Sequence, residues 1–205
     1  GANMNFDRLR FVSERAVLGE GKEVSFVVSI PEKSGEFAKL QQIIHPRMIT
    51  EFSYRYTGSD PANIYVSFNV LNKSKEVTSI IETMTNDEHK YEVVDISDNE
   101  LAKTHGRYLV GGKCTSSHVT KREKLFTFEF PERPGALTKF LQQLRDNWDI
   151  TLFNYRNHGN DIGKVLCGFV LPEGANESEF YEFLNNLGYK YVDETQNVVY
   201  QKFLI

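Results

Sequence analysis

A chain of 205 residues with 28 acidic and 24 basic side chains carries a formal net charge of −4, which argues against a nucleic-acid partner because such binders carry a basic excess. Apolar residues make up 40% and charged residues 25%, an ordinary balance for a soluble globular fold, and no apolar run approaches the roughly 18 residues of a membrane helix. Two cysteines, Cys114 and Cys167, are too few for a disulfide framework or a zinc cluster and suggest a reducing compartment.

The first residues show no basic, apolar and small-residue progression, so no signal peptide is expected. Residues 6–18, "FDRLRFVSERAVL", place Phe6, Leu9, Phe11, Val12, Ala16 and Val17 at near-helical spacing and predict a connecting helix. "EVSFVVSI" (23–30) is a β-branched and aromatic run and reads as a strand. The Pro-Glu-x-x-Gly loop that follows stops the strand and opens a helix whose Phe37, Leu40 and Ile44 share one face. "TEFSYRYTG" (50–58) supplies a second strand, "NIYVSFNVL" (63–71) a third, residues 74–85 a second helix and "YEVVDI" (91–96) a fourth strand. The segment 97–123 opens on capping residues and a helical stretch, then reaches Gly-Gly and a polar run suited to a linker.

The same order then repeats. At an offset of 100, Pro31, Glu32, Gly35, Lys39 and Gln42 fall on Pro131, Glu132, Gly135, Lys139 and Gln142; after one inserted residue, "TEFSYRYTG" falls on "TLFNYRNHG" (151–159). The runs 124–130, 151–159, 164–171 and 189–194 are strands, and Leu137, Phe140 and Leu144 repeat the buried helix face, with a further helix over 176–187. Ordered identities over two long stretches mark a tandem duplication. The expected fold is α+β: two tandem ferredoxin-like βαββαβ modules, antiparallel sheets with helices on one face, preceded by a connecting helix. The divisions are 1–22 for the connecting helix, 23–97 for module 1, 98–123 for a helix and linker, and 124–205 for module 2.

Catalytic signatures are missing from the sequence. "GRYLVGGKC" (106–114) approaches a phosphate loop, but its Lys stands one residue late, Cys114 replaces the hydroxyl, and no strand leads in. His105, Cys114 and His118 make a poor metal site. Glu32 and Glu132 read as solvated loop residues or helix-start carboxylates. No catalytic residue and no metal ligand is assigned.

The duplicated positions admit two readings each. Gly35 and Gly135 permit a tight turn, or clear the way for a ligand's carboxylate or phosphate to reach the first free N–H groups of a helix. Tyr54 and Tyr155, with Phe52 and Phe153 on the same side of the strand, are core residues or a pocket wall. Arg55 and Arg156 face the other way, to pair with acids inside the fold or to hold a facing module.

The phrases "LRFVSERAVLGE", "IPEKSGEF", "TEFSYRY", "HGRYLVGG", "FEFPERPGALTKFL", "LFNYRNHG" and "DETQN" together resemble the C-terminal regulatory part of biosynthetic threonine deaminase (threonine dehydratase, threonine ammonia-lyase), within the wider group of ACT-like amino-acid-binding domains. The resemblance implies a regulatory part of a larger, oligomeric enzyme that binds isoleucine as inhibitor and valine as its antagonist. It implies pyridoxal phosphate in a catalytic domain this chain does not contain; neither the Schiff-base lysine setting nor the Gly-rich phosphate loop occurs here. As given, the chain is therefore expected not to be an enzyme. Tyr54 and Tyr155 are implied as effector-binding residues, and ACT-like geometry adds Gly35, Glu36, Phe37, Gly135, Ala136 and Leu137, with Arg55, Arg156, Phe52 and Phe153 in support. The sequence departs from its own repeat at Ser34, which answers Pro134, so the two loops need not bind alike. The expected setting is the cytoplasm, or an organelle matrix or stroma. Two rivals share the element order. An RNA-binding module would need an aromatic where Cys167 stands, whereas a free-standing binding or purely oligomerising module remains open.

Overall fold

The computed structural model of the chain describes residues 22–58, 60–110, 114–133, 135–144, 148–157 and 159–204. The connecting helix expected over 6–18 lies outside them, as do Gly111, Gly112 and Pro134.

Module 1 runs β1 (Lys22–Ile30), α1 (Glu36–Ile44), β2 (Ile49–Arg55), β3 (Ala62–Val70), α2 (Lys73–Thr85) and β4 (Glu92–Asp95). Two helices follow, α3 (Glu100–Leu109) and the single turn α4 (Ser117–Thr120). Module 2 repeats the pattern as β5 (Glu123–Pro131), α5 (Ala136–Leu144), β6 (Asp149–Arg156), β7 (Ile162–Val170), α6 (Glu177–Leu187) and β8 (Lys190–Asp193), and ends in α7 (Val198–Phe203). Local chemistry sets several boundaries. Asn72, Asn99, Asn176 and Asn197 each cap a helix by accepting a backbone N–H, the preferred role of that side chain. Leu71, placed in the third strand by sequence, is 74% exposed just past its end.

Each module has the ferredoxin-like strand order, and the two join edge to edge into one antiparallel sheet ordered β4-β1-β3-β2-β6-β7-β5-β8. The seam is the pair of motif strands: Phe52 lies opposite Tyr155, Ser53 opposite Asn154 and Tyr54 opposite Phe153. Backbone bonds from Tyr56 to Thr151 (2.7 Å) and from Asn157 to Thr50 (2.8 Å) close its two ends symmetrically. Edge pairing satisfies the N–H and C=O rows that an isolated module would leave open.

Alternation along the strands divides the core by face. Val24, Phe26, Val28, Phe126, Phe128 and Phe130 point to the side carrying α1, α2, α5 and α6, where Leu40, Ile44, Ile80, Met84, Phe140 and Phe180 complete one continuous cluster. It runs unbroken through Phe52 and Phe153, whose rings meet edge-on at 5.4 Å across the seam. The opposite face has smaller covers. Gly106 of α3 lies against the Tyr65 ring, close enough that a Cβ there would meet it at 3.0 Å. On module 2, Tyr200 of α7 packs with Leu125 and Leu152. The apolar spacing of the sequence does not announce α7.

Candidate functional site

The two Pro-Glu-x-x-Gly loops deliver the same backbone device. Gly35 and Gly135 have φ of 86° and 80°, the left-handed region that favours glycine, and each turns the chain into the first residue of a helix. At Gly135 a Cβ would meet nothing within 4 Å, so that glycine serves the turn and leaves open space beside it. Gly35 occupies the cap position of α1 without any side-chain cap.

Above each loop sits the tyrosine of the Tyr-Arg strand. The Tyr54 hydroxyl lies 2.7 Å from both oxygens of Glu32, and Tyr155 donates to Glu132 Oε1 at 2.9 Å. The repeat has thus duplicated a phenol–carboxylate pair. Burial pushes the Glu32 carboxyl above its ordinary range; the Tyr54 bond opposes this, while Asp60 and Asp149 add to the rise. Burial and the bond to Glu32 likewise raise the Tyr54 phenol, so it stays a neutral donor. Glu132 is only 7% exposed, which corrects its reading as a solvated loop carboxylate: the fold withdraws it under Tyr155.

A cavity of about 530 Å³ opens at the module 1 loop, within the usual range for small-molecule sites. Glu32, Lys33, Ser34, Gly35, Phe37 and Ala38 form one wall. Module 2 supplies the other, through Leu141 and Leu144 of α5 and through Trp148, Asp149 and Ile150 at the start of β6. The linker contributes His118, Val119 and Arg122. Arg122 is held by a bond to the Leu171 carbonyl and lies 3.1 Å from His118 Nε2. The cavity therefore exists only because the modules share a sheet.

Of the residues singled out by sequence, Gly35 and Phe37 line this cavity, and Tyr54 reaches it through Glu32. Phe37 packs edge-on to Tyr54 with ring centroids 4.7 Å apart. Glu36 does not line it: buried, it accepts from Tyr91 at 2.6 Å and pairs with Lys39 at 2.6 Å. Burial alone would raise its pKa, but these partners hold it below the ordinary carboxylate value. Gly135, with Ala136 and Leu137 at the start of α5, belongs to the other loop, over which Tyr155 of β6 sits; Leu137 and Tyr155 are buried in the core.

The two arginines part company. Arg55 is buried and makes a two-pronged ion pair with buried Glu123 of module 2; its second arm also donates to the Leu204 carbonyl at 2.9 Å. Tyr200 (2.5 Å) and Thr151 donate to the same carboxylate. Both alternatives weighed from sequence are realised in this one residue, since the acid it pairs with belongs to the facing module. Arg156 is exposed and borders a smaller depression with Asn154, Lys164 and Leu166.

Sequence reasoning missed Glu32 and Glu132 as partners of the tyrosines, and with them Trp148, Asp149, Val119 and Arg122. The doubled Pro-Glu dipeptide was the available signal for the first two. Among the described residues no three His, Cys, Asp or Glu side chains gather as a metal site, and no helix is long and apolar enough to cross a membrane.

Fold and site together define a tandem pair of ferredoxin-like modules with a cavity at the junction of the two halves. Its kinship is specific: the family described as the C-terminal regulatory domain of threonine dehydratase matches residues 14–105 and 115–204, and the chain belongs to that family. It is 57% identical over its whole length to a mitochondrial threonine dehydratase of Saccharomyces cerevisiae, of which it spans 36%. To the biosynthetic L-threonine dehydratase of Escherichia coli it is 47% identical over its whole length, spanning 38% of that enzyme. The chain thus corresponds to the regulatory domain of these longer proteins and covers little more than a third of their length. Likeness to solved structures is remote: an aspartate kinase from Synechocystis covers 85% of this chain, and the chain 44% of it, at 11% identity and a TM-score of 0.30, which bears no weight.

Proposed function

We propose that this chain binds branched-chain amino acids, isoleucine and valine, and passes their occupancy to the catalytic portion of a threonine dehydratase of isoleucine biosynthesis. That portion would carry pyridoxal phosphate, assemble as a homo-oligomer, and sit in the cytoplasm or, as the name of the yeast relative suggests, in an organelle. The observation that supports the reading best is the cavity formed jointly by both modules.

Its chemistry suits a zwitterion with an aliphatic tail. The first turn of α1, uncapped at Gly35, presents backbone N–H groups that favour a carboxylate. Phe37, Val119, Leu141, Leu144 and Ile150 form an apolar wall for the side chain. A ligand gripped by both modules favours the arrangement in which they sit at that spacing, and only such differential affinity transmits a signal. Isoleucine and valine differ by one methylene, worth about 1–3 kcal/mol in an apolar pocket, so one cavity separates them by degree. Opposed effects then require that they favour different arrangements of the modules.

Calorimetric titration of this chain with isoleucine, valine and threonine tests the proposal. Binding of isoleucine with little response to threonine is expected. Silence toward every branched amino acid at millimolar concentration would overturn it and favour a purely oligomerising module.

A further inference from the structure

The cavity is charged unevenly, and the unevenness differs between the halves. Glu32 of module 1 and Asp149 of module 2 line the same space, near enough that Asp149 is felt at the Glu32 carboxyl. Glu32 is held by Tyr54, whose hydroxyl lies 2.7 Å from each of its oxygens, which sets the orientation of a carboxylate that shares the cavity with a second one from the facing module. The lining also carries cationic side chains: Lys33, exposed as Asp149 is, and Arg122, whose guanidinium is engaged by the Leu171 carbonyl and lies beside His118. Glu173 adds further negative charge to the lining.

The duplication allows the same positions to be read on the other side. Thr50 answers Thr151 and Ile49 answers Ile150, each flanking an equivalent register shift, so Asp149 is answered by Met48. Tyr56 is answered by Asn157, which contacts the Met48 sulfur at 3.9 Å. Ala38 and Leu141, apolar in the cavity, are answered by Thr138 and Gln41, which hydrogen-bond to each other at 2.6 Å across the two helices. Among the described residues, the positions equivalent to Glu32 and Asp149 are therefore held by Glu132, withdrawn beneath Tyr155, and by the thioether of Met48.

We propose that Glu32 and Asp149, one from each module, form the ammonium-holding pole of the cavity, that this restricts the site to free amino acids over 2-oxo acids of the same carbon skeleton, and that the related position around Gly135 lacks this pole. The inference rests on the effector-binding reading of the cavity and adds to it a ligand class and an inequality between the halves. A regulator of amino-acid synthesis gains from such a filter, because the 2-oxo acid and the amino acid share a tail that an apolar wall alone cannot tell apart.

The test is calorimetry on this chain with L-isoleucine, with 3-methyl-2-oxopentanoate, and with the Asp149→Asn variant, whose fold is checked by circular dichroism. Loss of a hydrogen bond to a charged group predicts that isoleucine binds the variant about 10–100-fold more weakly. The 2-oxo acid should bind the unaltered chain more weakly than isoleucine by at least about the same factor, and its affinity should not fall in the variant. Isoleucine should saturate near one equivalent per chain. Glu32→Gln gives a second reading should Asp149→Asn fail to fold. Isoleucine binding that survives both substitutions, equal binding of the 2-oxo acid, or two equivalent sites would overturn the inference while leaving the proposed function standing. No isoleucine binding to the unaltered chain would overturn both.

Discussion

Tyr54 and Tyr155 hold equivalent carboxylates in unequal surroundings, and the difference sets what each contributes. Tyr155 covers a glutamate almost fully withdrawn from solvent. Tyr155→Phe removes a hydrogen bond to a charged group, worth about 1–3 kcal/mol. Thermal unfolding should reveal it as a fall of about 2–4 °C per kcal/mol. Tyr54→Phe frees a half-buried carboxylate at the cavity, so its main effect should appear in isoleucine titration rather than in the melting curve. Glu32 makes a separate pH prediction. A carboxyl whose folded pKa stands above its unfolded value stabilises the fold below the unfolded value and loses that contribution as pH rises through the folded one. Melting curves of the unaltered chain and Glu32→Gln should therefore shift in the variant's favour as pH rises from the ordinary 4.5 of the carboxyl. The Phe52 and Phe153 positions were legible from the two-residue period alone. The tyrosine–glutamate pairs were not, because each glutamate precedes its tyrosine by more than twenty residues and only the sheet brings them together.

At the scale of elements, the Tyr-Arg strands β2 and β6 carry one motif to two fates. Arg55 is sealed against Glu123 by Tyr200 of α7 and the Leu204 carbonyl, while Arg156 is exposed. Breaking a buried pair leaves an uncompensated charge, so Arg55→Met should cost about 3–5 kcal/mol. Arg156→Met should fall within about 0.5 kcal/mol. Paired denaturant titrations decide this, and equal losses would contradict the asymmetry. The main helices were readable from their apolar spacing, as were the strands from their β-branched runs. The short α7 was not: six residues beginning Val-Val have modest helix propensity, and it is the packing of Tyr200 on Leu125 and Leu152 that holds it.

For the whole molecule, the duplication visible in the sequence predicted two modules but could not say how they meet, since an edge strand does not name its partner. The answer is fusion through β2 and β6, with the core continuous across the seam. The outermost strands, β4 and β8, are four residues each, short enough to limit further edge pairing. Fusion predicts a single unfolding transition, coincident by tryptophan fluorescence and circular dichroism, because neither half keeps its edge or its Arg55–Glu123 pair when the other is lost; two resolved transitions would contradict it. Fusion also creates the cavity, whose wall is drawn from both modules and the linker. The most direct test is a crystal structure of this chain with isoleucine. The ligand is expected between the modules, its carboxylate at the start of α1, its amino group toward Glu32 and Asp149, and its tail on Phe37 and Leu141; isoleucine bound elsewhere, with this cavity left to water, would contradict the assignment.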